Sequence, residues 1–287
     1  MIERIYIPTV RRPDNQITYN GLPPELQKRV IMVVEPGERH LYNYDCDYLE
    51  IPEEFVGSWT QLSQTRLFIH KHAGAIKYCM ADDDVLLKRR NAKYWTGVSN
   101  MEKSIRTATS QDILEAFEDF DKWLDEDDIG LAGCAFPTRP PAKSRYSDTQ
   151  GVFGIPFIDG RMLSKVIDSM ELTEIRIAED ILFLFECLSR GINTRQANEW
   201  VWWNTSLYNK SMQEKRVIWA PVNDDIEAQC LLYIAKRFPH GLTVFKKDGE
   251  LKKTQHWKKL YNPQARLRTK EIRIGTGKTV KVTSDSV

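Results

Sequence analysis

Ala75-Ile76-Lys77-Tyr78-Cys79-Met80-Ala81 is a largely apolar run that delivers Asp82-Asp83-Asp84 to its own carboxyl end. Its length and apolar content suit a buried strand, and Gly74 separates it from the helical pattern of residues 58–72. In open α/β sheets ligands collect at the carboxyl ends of strands, so an acidic cluster there stands where chemistry is done. Three adjacent carboxylates in a partly desolvated place repel one another and persist only when a cation neutralises them. Hard Mg²⁺ or Mn²⁺ meets that need and keeps coordination sites free for phosphate oxygens. A bare D-x-D is otherwise a solvated acidic turn. Strand alternation places Asp82 and Asp84 on one side and Asp83 on the other.

Working outward, the pattern alternates short strands with helices, as βαβ units do. Residues 4–9 and 29–35 read as strands; Val30-Ile31-Met32-Val33-Val34 is apolar on both faces and Pro36-Gly37 stops it. Residues 109–125 form the clearest helix, with Ile113, Phe117, Phe120 and Leu124 on one face and Thr109-x-x-Asp112 as a capping box. Strands are expected at 130–136 and 152–158, and helices at 179–191, closed by Gly191, and 223–238. Between the two strands, the loop 137–146 is either a lid or acceptor loop or a plain connection. A terminal hairpin is expected around Gly275-Thr276-Gly277. The fold class is α/β, a mixed Rossmann-like sheet flanked by helices, with one domain over 1–240 and a basic extension over 241–287.

Composition bounds the function. With 287 residues, 41% hydrophobic and 28% charged, the chain is globular. No apolar run approaches the roughly 20 residues a membrane helix needs, and the N-terminus reads as a strand and not as a signal peptide. Five cysteines, odd in number and never in a CxxC pair, read as core thiols of a reducing, cytoplasmic compartment. The net charge of +1 hides a tail, residues 246–281, with twelve basic residues against three acidic ones. Such a tail suits a polyanion, nucleic acid or a membrane surface.

Ala178-Glu179-Asp180-Ile181 opens an apolar helix with two acids, which are dipole complements or a base for an acceptor hydroxyl. Arg11-Arg12 and Arg66 offer the forked donors that a diphosphate needs. Trp200-Val201-Trp202-Trp203 is an acceptor platform or core packing. Taken together, Ile7-Pro8-Thr9-x-Arg11, Val34-Glu35-Pro36-Gly37, Thr65-Arg66, Asp82-Asp83-Asp84 and Glu179-Asp180 resemble, in order, the landmarks of GT-A glycosyltransferases. In detail the arrangement resembles the phage TET-associated glycosyltransferases, which glycosylate hydroxymethylated pyrimidines in DNA. The resemblance covers about residues 1–200.

That resemblance implies a nucleotide-sugar donor, a UDP-sugar first, with Thr9, Arg11, Glu35, Arg66 and Asp83 around it. It implies Mn²⁺ or Mg²⁺ on Asp82 and Asp84, joined by a late histidine, His240 or His256, of which His256 is the candidate carried forward. Asp180, with Glu179 beside it, is the base if the reaction inverts. Arg139, Trp202 and Lys258 are candidate acceptor contacts, and DNA is the expected partner of the basic segment. The rival readings are a GT-A enzyme acting on a glycan or protein, and a nucleic-acid-binding protein without catalysis.

Overall fold

The computed structural model describes residues 1–90, 105–136, 144–204, 224–247, 250–261, 271–274 and 278–281. Its centre is a ten-stranded mixed sheet. The strands are β1 (Arg4–Pro8), β2 (Val30–Val34), β3 (Asp47–Glu50), β4 (Lys77–Met80), β5 (Val85–Arg90), β6 (Ile105–Thr107), β7 (Ile129–Ala135), β8 (Tyr146–Asp148), β9 (Phe157–Asp159) and β10 (Asn193–Asn204). Along the sheet they run β3-β2-β1-β4-β9-β7-β10-β5-β6, with β8 also paired to β10. The first four are mutually parallel; β9 runs antiparallel to β4 and β7, and β10 runs parallel to β7 but antiparallel to β5.

The parallel half explains its own sequence. Its successive side chains point to opposite faces and both faces are covered, so nearly every position must be apolar. Tyr6, Ile31, Val33, Tyr78 and Met80 enter one core, together with Ile69 of α3 (Gln61–Ala73) and the 181–188 stretch of α6 (Glu179–Ser189). Ile5, Ile7, Val30, Met32, Val34 and Cys79 enter the other, against Phe117 and Phe120 of α4 (Ser110–Trp123). Shorter helices are α1 (Ile17–Gly21), α2 (Pro24–Gln27) and α5 (Gly160–Leu163). The capping box of α4 is present: Thr109 and Asp112 exchange side-chain and backbone hydrogen bonds.

One segment differs from expectation, and another had no assignment in the sequence. The apolar run 152–158 is a strand only from Phe157 on, because Gly154 has φ +72° and a Cβ there would stand 2.7 Å from the Trp202 ring. In exchange, residues 152–156 become a loop against the end of β4, where Asp82 N donates to Gly154 O at 3.2 Å. Conversely, β10 is twelve residues long although its first half is polar. Asn193, Thr194, Arg195 and Gln196 are buried there with partners from distant segments: Thr149 on Asn193, the Gln150 backbone on Thr194, Asp148 on Arg195 and the Gly151 carbonyl on Gln196.

After the sheet come α7 (Asp224–Arg237), the hairpin β11 (Leu242–Lys247) with β12 (Glu250–Gln255), and α8 (Trp257–Tyr261). Leu242, Trp257 and Leu260 are buried in the core of α6, and Trp257 meets Phe185 edge-on at 4.9 Å. Fully buried Glu186 of α6 takes Arg190 and, at 2.5 Å, Arg237 of α7. The terminal hairpin is found as β13 (Glu271–Ile274) paired antiparallel with β14 (Lys278–Lys281). Among the described residues no helix is long and apolar enough to cross a membrane.

Candidate active site

β1, β2 and β4 are parallel neighbours, so their carboxyl ends open on one edge, and the predicted acidic and basic residues lie there. The strand β4 ends at Met80, and residues 83–84 form a turn. Thr18 clamps this turn: its hydroxyl lies 2.5 Å from the Asp82 carbonyl and 2.9 Å from the Val85 carbonyl, which share its one proton, and it accepts from Val85 N. Because the strand has ended, alternation no longer governs the acids. Asp82 turns to Arg66, whose Nη2 donates to Oδ1 at 2.8 Å. Asp83 accepts from Thr9 Oγ1 and Arg12 Nη1, both at 2.8 Å. Asp84 accepts from Asn204 Nδ2 at 3.0 Å and shares Arg12 at 3.8 Å. Arg12 thus bridges Asp83 and Asp84, and Asp82, held by Arg66, stays close enough to Asp84 to feel its charge.

Arg66 is the junction of the site. It projects from α3 between Asp82 and Glu179, whose Oε1 lies 3.1 Å from its Nε. Burial alone would lower the affinity of the guanidinium for its proton, but Asp82, Glu179 and Asp180 outweigh it and keep Arg66 charged. Burial pushes Glu179 up to about 7; Arg66 opposes the rise and Asp180 adds to it. Burial also raises Asp82, against Arg66, and raises Asp83 to about 6, against Arg12 and Thr9. Asp180 lines the same cleft, and its Oδ1 accepts from the backbone of Ile181 at 2.7 Å. The residue before the two acids, Ala178, holds φ +63°, a left-handed conformation that costs a non-glycine residue about 1 kcal/mol.

The other cleft walls come from Ser63 and His70 of α3, Gly154 of the loop, and Phe183 of α6. His70 stacks on Phe183 with centroids 4.4 Å apart and meets Tyr78 OH at 2.5 Å; burial and then Arg66 push it down to about 3, so it is a neutral core histidine. His72 meets Tyr6 OH instead, at 2.9 Å.

On the other side of Asp83, Thr9 follows β1 and Glu35 follows β2. Arg11 takes φ +52° so that its side chain reaches Glu35 (3.8 Å) and Glu38 (3.7 Å), while its backbone N–H donates to Glu38. Gln61, at the start of α3, donates to Glu35 at 2.6 Å. Buried Gln16 donates to Thr9 and to the Arg12 carbonyl. Thus Thr9, Arg11, Glu35, Arg66, Asp82, Asp83, Asp84, Glu179 and Asp180 belong to one connected edge of the sheet.

The remaining candidates lie elsewhere. Trp202 is 7% exposed, with its ring against Gly154 and edge-on to Phe136 at 4.9 Å; it is a wall of the core and not an open platform. Trp200 is buried too, and Trp203 lies under Lys88 at 4.0 Å. Lys258 is exposed on α8, and Arg139 lies outside the described residues. His256 has its Nε2 3.2 Å from Thr243 Oγ1 on the β11–β12 hairpin. Among the described residues no three His, Cys, Asp or Glu side chains form a metal-holding group, so the expected set of Asp82, Asp84 and His256 is not assembled. The chemistry of Asp82 and Asp84 still fits a hard divalent cation held by one or two carboxylates and completed by substrate phosphates. Sequence reading missed Gln16, Gln61, Asn204 and Thr18, ordinary polar residues whose role comes only from where the chain returns. Arg12 was visible as the neighbour of Arg11.

No family model matches the sequence, and no curated protein matches it. Among solved structures, the chain is similar to the apo form of the glycosyltransferase GlyE of Streptococcus pneumoniae, with 14% identity over 68% of this chain and 45% of that one and a TM-score of 0.36. It therefore spans under half the length of GlyE. It is also similar to a UTP-bound UGPase of Acinetobacter baumannii, with 10% identity over 82% and 99% of the two chains and a TM-score of 0.40. A third likeness is to the inositol-1-phosphate CTP transferase of T. maritima, with 9% identity over 74% and 94% and a TM-score of 0.38. At these scores the likenesses carry no weight for activity, which rests on the groups of the site.

Proposed function

We propose that the protein is a glycosyltransferase that moves a sugar from a nucleotide diphosphate donor, a UDP-sugar first, to the hydroxyl of a hydroxymethylated pyrimidine in DNA. One observation carries this reading: Arg66 stands between an acid at the end of β4, Asp82, and a buried acid, Glu179, raised to about 7. A transferase needs that juxtaposition, with donor-side charge control against a base whose proton affinity is near neutral.

In this reading Thr9, Arg11, Glu35 and Asp83 flank the nucleoside and Arg66 steadies the diphosphate, as guanidinium forks do. Asp82 and Asp84 would hold Mn²⁺ or Mg²⁺, which offsets charge on the leaving diphosphate. Glu179, in place of the expected Asp180, takes the proton from the acceptor hydroxyl while the oxygen of that hydroxyl bonds to the anomeric carbon. The bond from that carbon to the diphosphate oxygen breaks, and the diphosphate leaves with the electron pair. Asp180 sits beside Glu179 and keeps its proton affinity high. The basic residues of 246–281, Lys258 among them, are the expected contacts to DNA phosphates.

The test is a screen of nucleotide sugars with Mn²⁺, scored for hydrolysis and for transfer onto hydroxymethylated DNA. Wild-type protein is expected to consume a donor, and Asp82→Asn and Glu179→Gln to lose transfer while staying folded. Full activity in either variant, or no consumption of any donor, removes this reading. Transfer to a glycan or protein and not to DNA would replace the acceptor alone.

A further inference from the structure

His70 is 5% exposed, yet it lines the cleft. Ser63, Arg66, Leu67 and His70 recur at the three- and four-residue spacing that puts side chains on one face of a helix, and α3 turns this row to the cleft. His70 stands one turn beyond Arg66, and its ring stacks on Phe183, which stands one turn beyond Glu179 on α6. Leu67, Met80 and Leu184 complete the walls around them. The Nδ1 of His70 meets Tyr78 OH. Among the described residues Nε2 has no partner, and it is not one of the atoms sealed from solvent, so the surface that His70 retains opens this nitrogen to the cleft. Tyr78 also fixes the tautomer. It is fully buried, and among the described residues its hydroxyl meets only His70. Were Nδ1 to carry the ring proton, the phenol proton would be left in an apolar core without an acceptor; with the phenol donating to Nδ1, no donor is orphaned. The ring proton is therefore on Nε2. Burial and then Arg66 keep the ring neutral, so the cleft is offered one uncharged N–H.

We infer that His70 is a specificity-determining residue whose Nε2–H donates to an uncharged oxygen of the transferred sugar. A phosphate is drawn to the Arg66 guanidinium, one turn away, and finds no cation at His70. A sugar has both features that this end of the cleft can use: C–H surface for the Leu67 and Phe183 side chains, and hydroxyl oxygens that accept from a single aimed donor. A sugar that turns its hydroxyl elsewhere leaves the buried N–H without a partner, which is how one hydrogen bond discriminates between epimers. The pyrimidine of the acceptor also carries neutral oxygens, and the experiment separates the two sources. The inference rests on the proposed reading for the identity of the ligand and adds the side chain that reads it.

The test uses the full chain and measures binding, so it does not depend on turnover. UDP, UDP-glucose, UDP-galactose and UDP-N-acetylglucosamine are titrated by calorimetry with Mn²⁺ against wild type, His70→Phe and His70→Gln, with folding checked by circular dichroism. Wild type should bind one of the UDP-sugars more tightly than UDP. His70→Phe should weaken that UDP-sugar about tenfold and leave UDP within about twofold, and His70→Gln, whose amide nitrogen can stand in for Nε2, should keep most of the affinity. Wild-type protein with isotope-labelled histidine gives a reading that needs no variant and decides the matter should His70→Phe fail to fold. Its imidazole nitrogen resonances should report a proton on Nε2, and that resonance should move with the UDP-sugar and not with UDP. Equal losses for UDP and the UDP-sugar in folded His70→Phe, no loss at all, a proton on Nδ1, or a wild type that binds no UDP-sugar better than UDP refutes the contact. A resonance that moves with a hydroxymethylated oligonucleotide and with no UDP-sugar overturns it in favour of the acceptor base. Should wild type transfer no sugar while UDP-sugar binding depends on His70, the enzymatic reading fails and the contact stands; should transfer proceed while binding ignores His70, the contact alone fails.

Discussion

Glu179→Gln separates the charge of the buried acid from its shape. In the folded protein burial raises Glu179 from its ordinary 4.5 to about 7. Between those values the folded chain holds a proton that the unfolded chain has released, so this group's contribution is full below about pH 4.5 and is lost as pH climbs through about 7. At 1.36 kcal/mol per unit of difference, the loss has a ceiling of about 3 kcal/mol. The amide removes that titration, and its oxygen can still accept from Arg66, which keeps Asp82 at 2.8 Å. Urea unfolding at pH 4.5, 6 and 8 measures the effect. The variant should match wild type at pH 4.5 and gain on it steadily, reaching an advantage of about 1–3 kcal/mol at pH 8, while transfer activity is lost. Subtracting variant from wild type cancels the same-signed contribution of Asp83, which burial also raises, while Asp82 shares Arg66 with Glu179 and is read together with it. A stability difference that is flat across pH, or a variant weaker than wild type at pH 8, would refute the account of Glu179 as a buried acid held by Arg66.

Three further outcomes are expected. Arg12→Ala leaves Asp83 and Asp84 without their shared cation; it should cost about 2 kcal/mol at pH 8 and distinctly less at pH 5, where Asp83 gains its proton, as read from urea midpoints. Gly154→Ala combines φ +72° with a Cβ 2.7 Å from the Trp202 ring, so it should lower stability by about 2 kcal/mol or more and shift the tryptophan emission; an unchanged melting temperature would contradict the packing. Calorimetry of UDP should show binding at least about tenfold tighter with Mn²⁺ than with EDTA, and equal affinities would speak against a cation between the acids and the diphosphate.

Much of the frame was legible because it is repetitive. β2 is buried on both faces and says so in five consecutive apolar residues, and α4 announces its start with Thr109 and Asp112. What sequence could not give were places where buried polar groups find partners far along the chain. The polar half of β10 carries no strand pattern of its own; Asp148, Thr149 and Gln150 arrive to satisfy it. The apolar run 152–158 reads as a strand until the Trp202 ring forbids a side chain at Gly154. In the site, the acids, Thr9 and the arginines were visible, but which of them meet was not: Thr9 is 74 residues from Asp83, and Asn204, which nothing marked, is 120 from Asp84. The three aspartates take different partners because the strand ends at Met80 and Thr18 holds a turn beyond it, which alternation along a strand does not describe.

The charge count of the edge explains why these partners matter together. Among the described residues, the ion pairs of Asp82, Asp83, Asp84, Glu179, Glu35 and Glu38, with Asp180 beside them, are made with Arg11, Arg12 and Arg66, seven carboxylates around three guanidiniums. A diphosphate arriving there adds negative charge to a place already in excess of it, and the arginines that would welcome it are engaged by the acids. Two routes relieve the conflict: protonation of the carboxylates that burial has already raised, Glu179 first, or a divalent cation brought with the donor. The two routes pull against each other at Glu179, because a base must release its proton before it can accept one from the acceptor. In the proposed reading a cation on the aspartate side would leave Glu179 free for that work, and the balance of the acids would be completed by the donor it arrives with.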